Sequence, residues 1–144
     1  MTAELSFVED ADGALHRLVH NGVRAYNATL FAGHPEGRDL AIALRQAGAG
    51  EPAGGLVGRT SGGWLFVELL FVPQPFRGQG LATRLIAMAE AEALRRGCHS
   101  AWIDTLNGRA RALYERLGYR VFGELENYPV GSSRFFLRKA LSPS

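Results

Sequence analysis

Apolar and polar positions follow two rhythms along this chain, and the changes between them divide it into elements. The strongest strand pattern is Trp64–Val72, an apolar run in which Glu68 is the single charge. Gly80–Arg96 instead repeats every three to four residues. Leu81, Ala82, Leu85, Ile86, Ala89 and Ala93 fall on one face, while Arg84, Glu90 and Arg95 face out. Gly97 supplies a helix stop, and Glu92 and Arg96 form a pair one turn apart. Ser100–Leu106 reads as the next strand. Strand, helix and strand make a βαβ unit, which predicts parallel strands and a right-handed crossover.

On the N-terminal side, Leu5–Glu9 reads as a first strand. Gly13–Phe31 reads as one or two helices, with an apolar stripe of Leu15, Leu18, Val19 and Val23. Asp39–Gln46 and Gly55–Arg59 are strands that form an antiparallel meander with Trp64–Val72. Glycine clusters at Ala47-Gly48-Ala49-Gly50, Gly54-Gly55 and Gly62-Gly63 mark connections, two of them as hairpin turns. On the C-terminal side a short helix, Arg109–Leu117, ends at Gly118. Two last strands follow, Tyr119–Glu126 and Arg134–Lys139. The expected fold is an α/β arrangement: a mixed, mostly antiparallel central sheet with one parallel βαβ unit and flanking helices.

Length and composition narrow the class. A chain of 144 residues fits one domain, residues 1–144, and folding buries about 70% of the surface of a chain this long. The net charge is only +2, with no clustered basic face, which argues against nucleic acid and anionic membrane as partners. The one cysteine, Cys98, makes no internal disulfide, and its neighbours give it no histidine partner for nucleophilic chemistry. No run of residues has the pattern of a secretory leader or the ~20 apolar positions of a membrane span, so a cytoplasmic location is expected. His16 and His20 share a helix face without a third ligand, and no metal is expected.

Candidate chemistry concentrates where strand gives way to helix. After Trp64–Val72 comes Pro73-Gln74-Pro75-Phe76-Arg77-Gly78-Gln79-Gly80, and then the long helix. A glycine turn at a helix N-terminus presents bare N–H groups in a positive field, which suits phosphate. Two nucleotide motifs fail here. The P-loop needs Gly-Lys-Ser/Thr where this chain has Gly80-Leu81-Ala82, and the dinucleotide fingerprint needs a third small residue where it has Thr83.

A second constellation lies downstream, Asn107-Gly108-Arg109-Ala110-Arg111-Ala112-Leu113-Tyr114-Glu115-Arg116-Leu117-Gly118-Tyr119. Taken with Val72-Pro73 and Arg77-Gly78-Gln79-Gly80, it resembles the GNAT superfamily of acetyl-CoA-dependent N-acetyltransferases. The resemblance runs firmly from Trp64 to Tyr119. It departs from the family pattern at Pro75, where Gln or Arg is usual and a side-chain donor is lost. It implies that backbone N–H groups of Arg77, Gly78, Gln79, Gly80, Leu81, Ala82 and Thr83 hold the cofactor pyrophosphate. It implies also that the main chain of Leu70, Phe71 and Val72 takes the pantetheine arm, between strands that splay apart. Asn107 matches an asparagine that contacts the cofactor, and it is also a natural helix N-cap. Tyr114 matches a tyrosine that protonates the departing thiolate, although a core tyrosine is the alternative.

The amine half of the reaction rests on chemistry. A lysine-like amine with a pKa of ~10.4 is almost wholly protonated at neutral pH, so a carboxylate that takes the proton lowers the barrier. Glu68 is the best candidate, expected to be buried on one strand face with Leu70 and Val72, with a structural ion pair as its alternative role. Asp104, Glu124, Glu126 and Tyr128 also fall near the expected acceptor side. Glu68 and Asp104 together would favour a cationic acceptor. The expected reaction is direct acetyl transfer from acetyl-CoA to a primary amine in a ternary complex, a strand amide near Leu70 or Val72 stabilising the oxyanion. The alternative is a non-catalytic acyl-CoA-binding regulatory module. Resemblance also makes a homodimer through the C-terminal strands plausible.

Overall fold

Six strands form one sheet in the order β1-β2-β3-β4-β6-β5 in the computed structural model, which describes residues 1–48 and 50–142. They are β1 (Arg38–Leu44), β2 (Gly54–Ser61), β3 (Trp64–Phe71), β4 (Ser100–Thr105), β5 (Arg120–Glu126) and β6 (Ser133–Ala140). Three helices accompany them: α1 (Ala14–Leu30), α2 (Leu81–Arg95) and α3 (Gly108–Arg116). The parallel pair is β3 and β4, joined by α2, and every other neighbouring pair is antiparallel. β2 and β3 meet in a two-residue turn at Gly62 and Gly63, both with positive φ, as a tight hairpin requires. The connection between β1 and β2 includes Ala49, which lies outside the described residues.

The chain divides into two compact units, Met1–His34 and Pro35–Ser144. The first is built on α1. The carboxylate oxygens of Asp10 accept from the N–H groups of Leu15 and His16, both at 2.8 Å, and Asp12 accepts from that of Ala14 at 3.1 Å. These acids satisfy donors that a helix start leaves open. Leu5–Glu9 does not form the expected strand. A strand needs a neighbour for its ladder, and Met1–His34 contains no other.

In the second unit the helical stripe of α2 buries Leu85, Ile86, Ala89 and Ala93. These pack with Leu56, Leu65, Val67, Ala101, Ile103 and Leu137 into one core. Arg96 fastens the end of α2: its Nε donates to Glu92 at 2.8 Å, and one Nη donates to the Asp39 carbonyl at 3.0 Å and Thr60 Oγ1 at 3.2 Å. Glu90, which the helical period places outward, is half-buried instead. It accepts from the Tyr119 hydroxyl at 2.7 Å and from Lys139 Nζ at 2.9 Å, so α2 is also tied to β6 and to the residue ahead of β5. Among the described residues no helix is long and apolar enough to cross a membrane.

Candidate active site

Two irregularities in the sheet create the site. The first is a bulge where β3 meets β2. The register runs Gly58↔Val67 and then Val57↔Leu69, so Glu68 is the extra residue. Gly58 permits it, because a Cβ there would stand 2.1 Å from the Phe66 carbonyl oxygen. The second is the early end of the parallel ladder. β3 and β4 pair only from Trp64↔Ser100 to Val67↔Ile103, although both strands continue. From Glu68 onward the edge of β3 that faced β4 has no strand partner. Leu70, Phe71 and Val72 line one side of the opening, and Asp104 and Thr105 the other.

The bulge corrects the expectation for Glu68. It is not buried on the face of Leu70 and Val72, which pack on the core. Its side chain is 41% exposed, and its carboxylate lies 3.8 Å from Nε of Arg59 on β2. Strict alternation fails at an inserted residue, so Glu68 is turned out to the side of Arg59.

At the end of β3 the chain makes a short 3₁₀ turn, Gln74–Phe76, which Pro73 and Pro75 pre-set through their fixed φ. Its last hydrogen bond uses the Arg77 N–H, donated to the Gln74 carbonyl at 3.1 Å. That amide, expected among the phosphate-binding groups, is therefore spent, while Arg77 Nε donates to the Val72 carbonyl at 3.0 Å. Gly78 and Gly80 then take positive φ, 81° and 71°, and Gly80 caps α2. No side chain caps this helix. Its first intrahelical bond of this turn is Arg84 N–H to the Gly80 carbonyl. The N–H groups of Gly78, Gln79, Gly80, Leu81, Ala82 and Thr83 thus have no partner among the described residues. They form a run of donors at the positive end of α2, beside the opening between β3 and β4.

Asn107 caps α3: its Oδ1 accepts from Arg109 N–H at 2.8 Å and from Ala110 N–H at 3.4 Å. The cap fixes the start of the helix that carries Tyr114. Tyr114 is 5% exposed and packs edge-on against Tyr119, ring centres 6.3 Å apart. Its hydroxyl has no hydrogen-bond partner among the described residues and is not sealed from solvent. Burial, and then the negative charge of Asp104, push its pKa above the ordinary phenol value. At neutral pH it is a proton donor.

Two arginines escaped the sequence reading. Arg59 pairs with Glu68, and Arg134 binds Asp104 through Nη2 at 3.0 Å and Nε at 3.2 Å. Arg134 also donates to the Tyr128 hydroxyl at 3.2 Å, which joins β4, β6 and the β5–β6 connection. Both acids of the opening thus have a cationic neighbour, and the expectation that Glu68 and Asp104 offer an acidic lining to a cation loses its support. Glycine at 58 inside a strand was the available signal for the bulge, and so for Arg59.

The free amides, the opened ladder and the buried phenol have the arrangement expected of an acyl-CoA-dependent transferase, and the chain belongs to the Acetyltransferase (GNAT) family, whose model matches residues 11–119. It is an N-acetyltransferase. Over 139 residues it is 45% identical to Acetyltransferase Atu2258 of Agrobacterium fabrum, covering 96% of this chain and 98% of that protein. Blasticidin-S acetyltransferase of Streptomyces morookaense is 44% identical over 93 residues, 64% of this chain and 68% of the relative. A crystal structure from Agrobacterium tumefaciens, assigned as an acetyltransferase, superposes with a TM-score of 0.85 at 44% identity, over 97% of this chain and 99% of that one.

Proposed function

We propose that this protein moves an acetyl group from acetyl-CoA to a primary amine on a small molecule, by direct attack in a ternary complex. The observation that carries the reading is the row of unpartnered N–H groups from Gly78 to Thr83, opening onto the gap between β3 and β4. Six amides in the field of α2 match a pyrophosphate. The edge of Leu70, Phe71 and Val72, which has no strand partner and is free but for the Val72 carbonyl that Arg77 Nε holds, matches a chain of amides such as pantetheine, which takes hydrogen bonds as an added strand does. Asn107 has an amide NH₂ left for the cofactor after its oxygen has capped α3. Bound there, acetyl-CoA supplies the thioester whose acyl carbon the amine attacks.

The residues then divide the protons. Glu68 takes one from the incoming ammonium, directly or through water, at the mouth of the gap. Tyr114 gives one to the sulfur as the thiolate leaves, and regains one from the second proton that the nitrogen sheds on becoming the amide; the pKa-raising effect of burial keeps it protonated until the thiolate departs. A backbone N–H of β3 near Leu70 or Val72 steadies the negative oxygen. The named activity of the Streptomyces relative makes a small-molecule amine the first acceptor to try.

The experiment is an amine panel that includes blasticidin S, polyamines, lysine and a peptide N-terminus, followed by thiol release from acetyl-CoA. Release with a small amine, and none with the peptide, is the expected result. Release with the peptide alone would overturn the acceptor class.

A further inference from the structure

The opposite end of the sheet carries a feature that acetyl transfer does not use. Arg120 on β5 and Arg138 on β6 are direct register partners. Cross-strand partners project on the same face, and like charges opposed in this way repel. Both side chains are exposed, and neither has an acidic partner among the described residues. Arg138 also lies over the Phe122 ring, 5.8 Å from its centre. The neighbouring cation Lys139, by contrast, is matched by Glu90 at 2.9 Å. Arg120 and Arg138 border a groove of about 330 Å³, with Trp64, Ser100, Gly118 and Lys139 also on its walls. Ser100 opens β4 and Thr105 closes it, so the groove lies roughly 16 Å along the strand from the candidate active site at a rise of ~3.3 Å per residue.

We propose that this groove is a second anion site, which takes a phosphate group between the Arg120 and Arg138 guanidinium forks. Two arginines in register, with no carboxylate paired to either among the described residues, supply paired N–H donors that match two phosphate oxygens each. A bound dianion removes the repulsion that the bare pair suffers. The phosphate is either free or carried by a small molecule whose remainder meets Trp64.

The readout is the ¹H–¹⁵N signals of the two arginine Nε–H groups, assigned with Arg120→Gln and Arg138→Gln, during titration at constant ionic strength. These signals report the groove alone, whatever phosphate does at the N-terminus of α2. Inorganic phosphate and phenyl phosphate are the two probes. Saturable shifts of both signals are expected, and a Kd about 10-fold weaker in either Gln variant, while Arg138→Lys loses less. Tighter binding of phenyl phosphate identifies the carried form, and equal binding the free form. Shifts no larger than equivalent chloride produces, or an unchanged Kd in Arg120→Gln, would overturn the site.

Discussion

The roles proposed for Tyr114 and Glu68 depend on what surrounds each side chain, and single substitutions separate them. Tyr114→Phe removes one oxygen from a hydroxyl without a partner among the described residues, so the fold is untouched. Its kcat should fall by 10²-fold or more, the scale of general acid catalysis, with acetyl-CoA affinity preserved. Wild-type turnover in that variant would remove Tyr114 from the reaction. For Glu68→Gln the informative measurement is the pH–rate profile, whose acidic limb should vanish, and its persistence would mean that another group is the base. Tyr119 makes a different point. Burial first, and then the charge of Glu90 and its hydrogen bond, hold the phenol pKa far above ~10. The unfolded chain loses this proton near pH 10 and the folded one does not. The stabilisation is therefore complete below pH 10 and declines as pH rises above it. Thermal melts from pH 8 to 11 should show that decline. Tyr119→Phe should show a shallower one, from a start about 1.5–3 kcal/mol lower because a hydrogen bond to a charged group is gone.

At the level of elements, what could be read in advance follows from periodicity. The helical stripe of α2, Asn107 before α3 and the paired glycines of the β2–β3 turn are local patterns, and each sits where its spacing puts it. Glu68 and Glu90 could not be placed so. Alternation assigns Glu68 to the face of Leu70 only if every residue of β3 has one partner on β2, and the bulge breaks that condition. The helical period turns Glu90 outward, but Tyr119 and Lys139 arrive from 29 and 49 residues away to cover it. The hydrogen bond of the Arg77 amide to Gln74 could not be read in advance either, because the 3₁₀ turn that makes it forms one residue ahead of the glycines. Gly58 tests the bulge itself. Gly58→Ala forces a methyl group onto the Phe66 carbonyl and should cost about 1–3 kcal/mol. It should also lower kcat more than it weakens acetyl-CoA binding, since it moves Glu68 and leaves the N-terminus of α2 in place. Equal kinetics in a destabilised variant would show that the bulge does not aim the carboxylate.

For the whole molecule, the decisive feature is how little ladder joins the two halves of the sheet. β1 and β2 share seven register pairs and β4 and β6 share six, whereas β3 and β4 share four, all at one end. α2 is a further link, held to β1 and β2 through Arg96 and to β6 through Lys139. The sheet is thus a pair of leaves stitched along part of a seam. A ligand that bonds to the open edge of β3 while its phosphates sit on α2 extends the stitching. With coenzyme A at about 100 times its Kd, mass action alone adds roughly 2.7 kcal/mol to stability. Hydrogen exchange would show where that gain is placed: the amides of Leu70 to Val72 and of Gly78 to Thr83 should slow most, those of β4 should slow as well, and unchanged exchange in β4 would contradict the seam. In the proposed binding mode the cosubstrate is also a removable part of the architecture, a fastener that the enzyme installs and withdraws in each round of acetyl transfer.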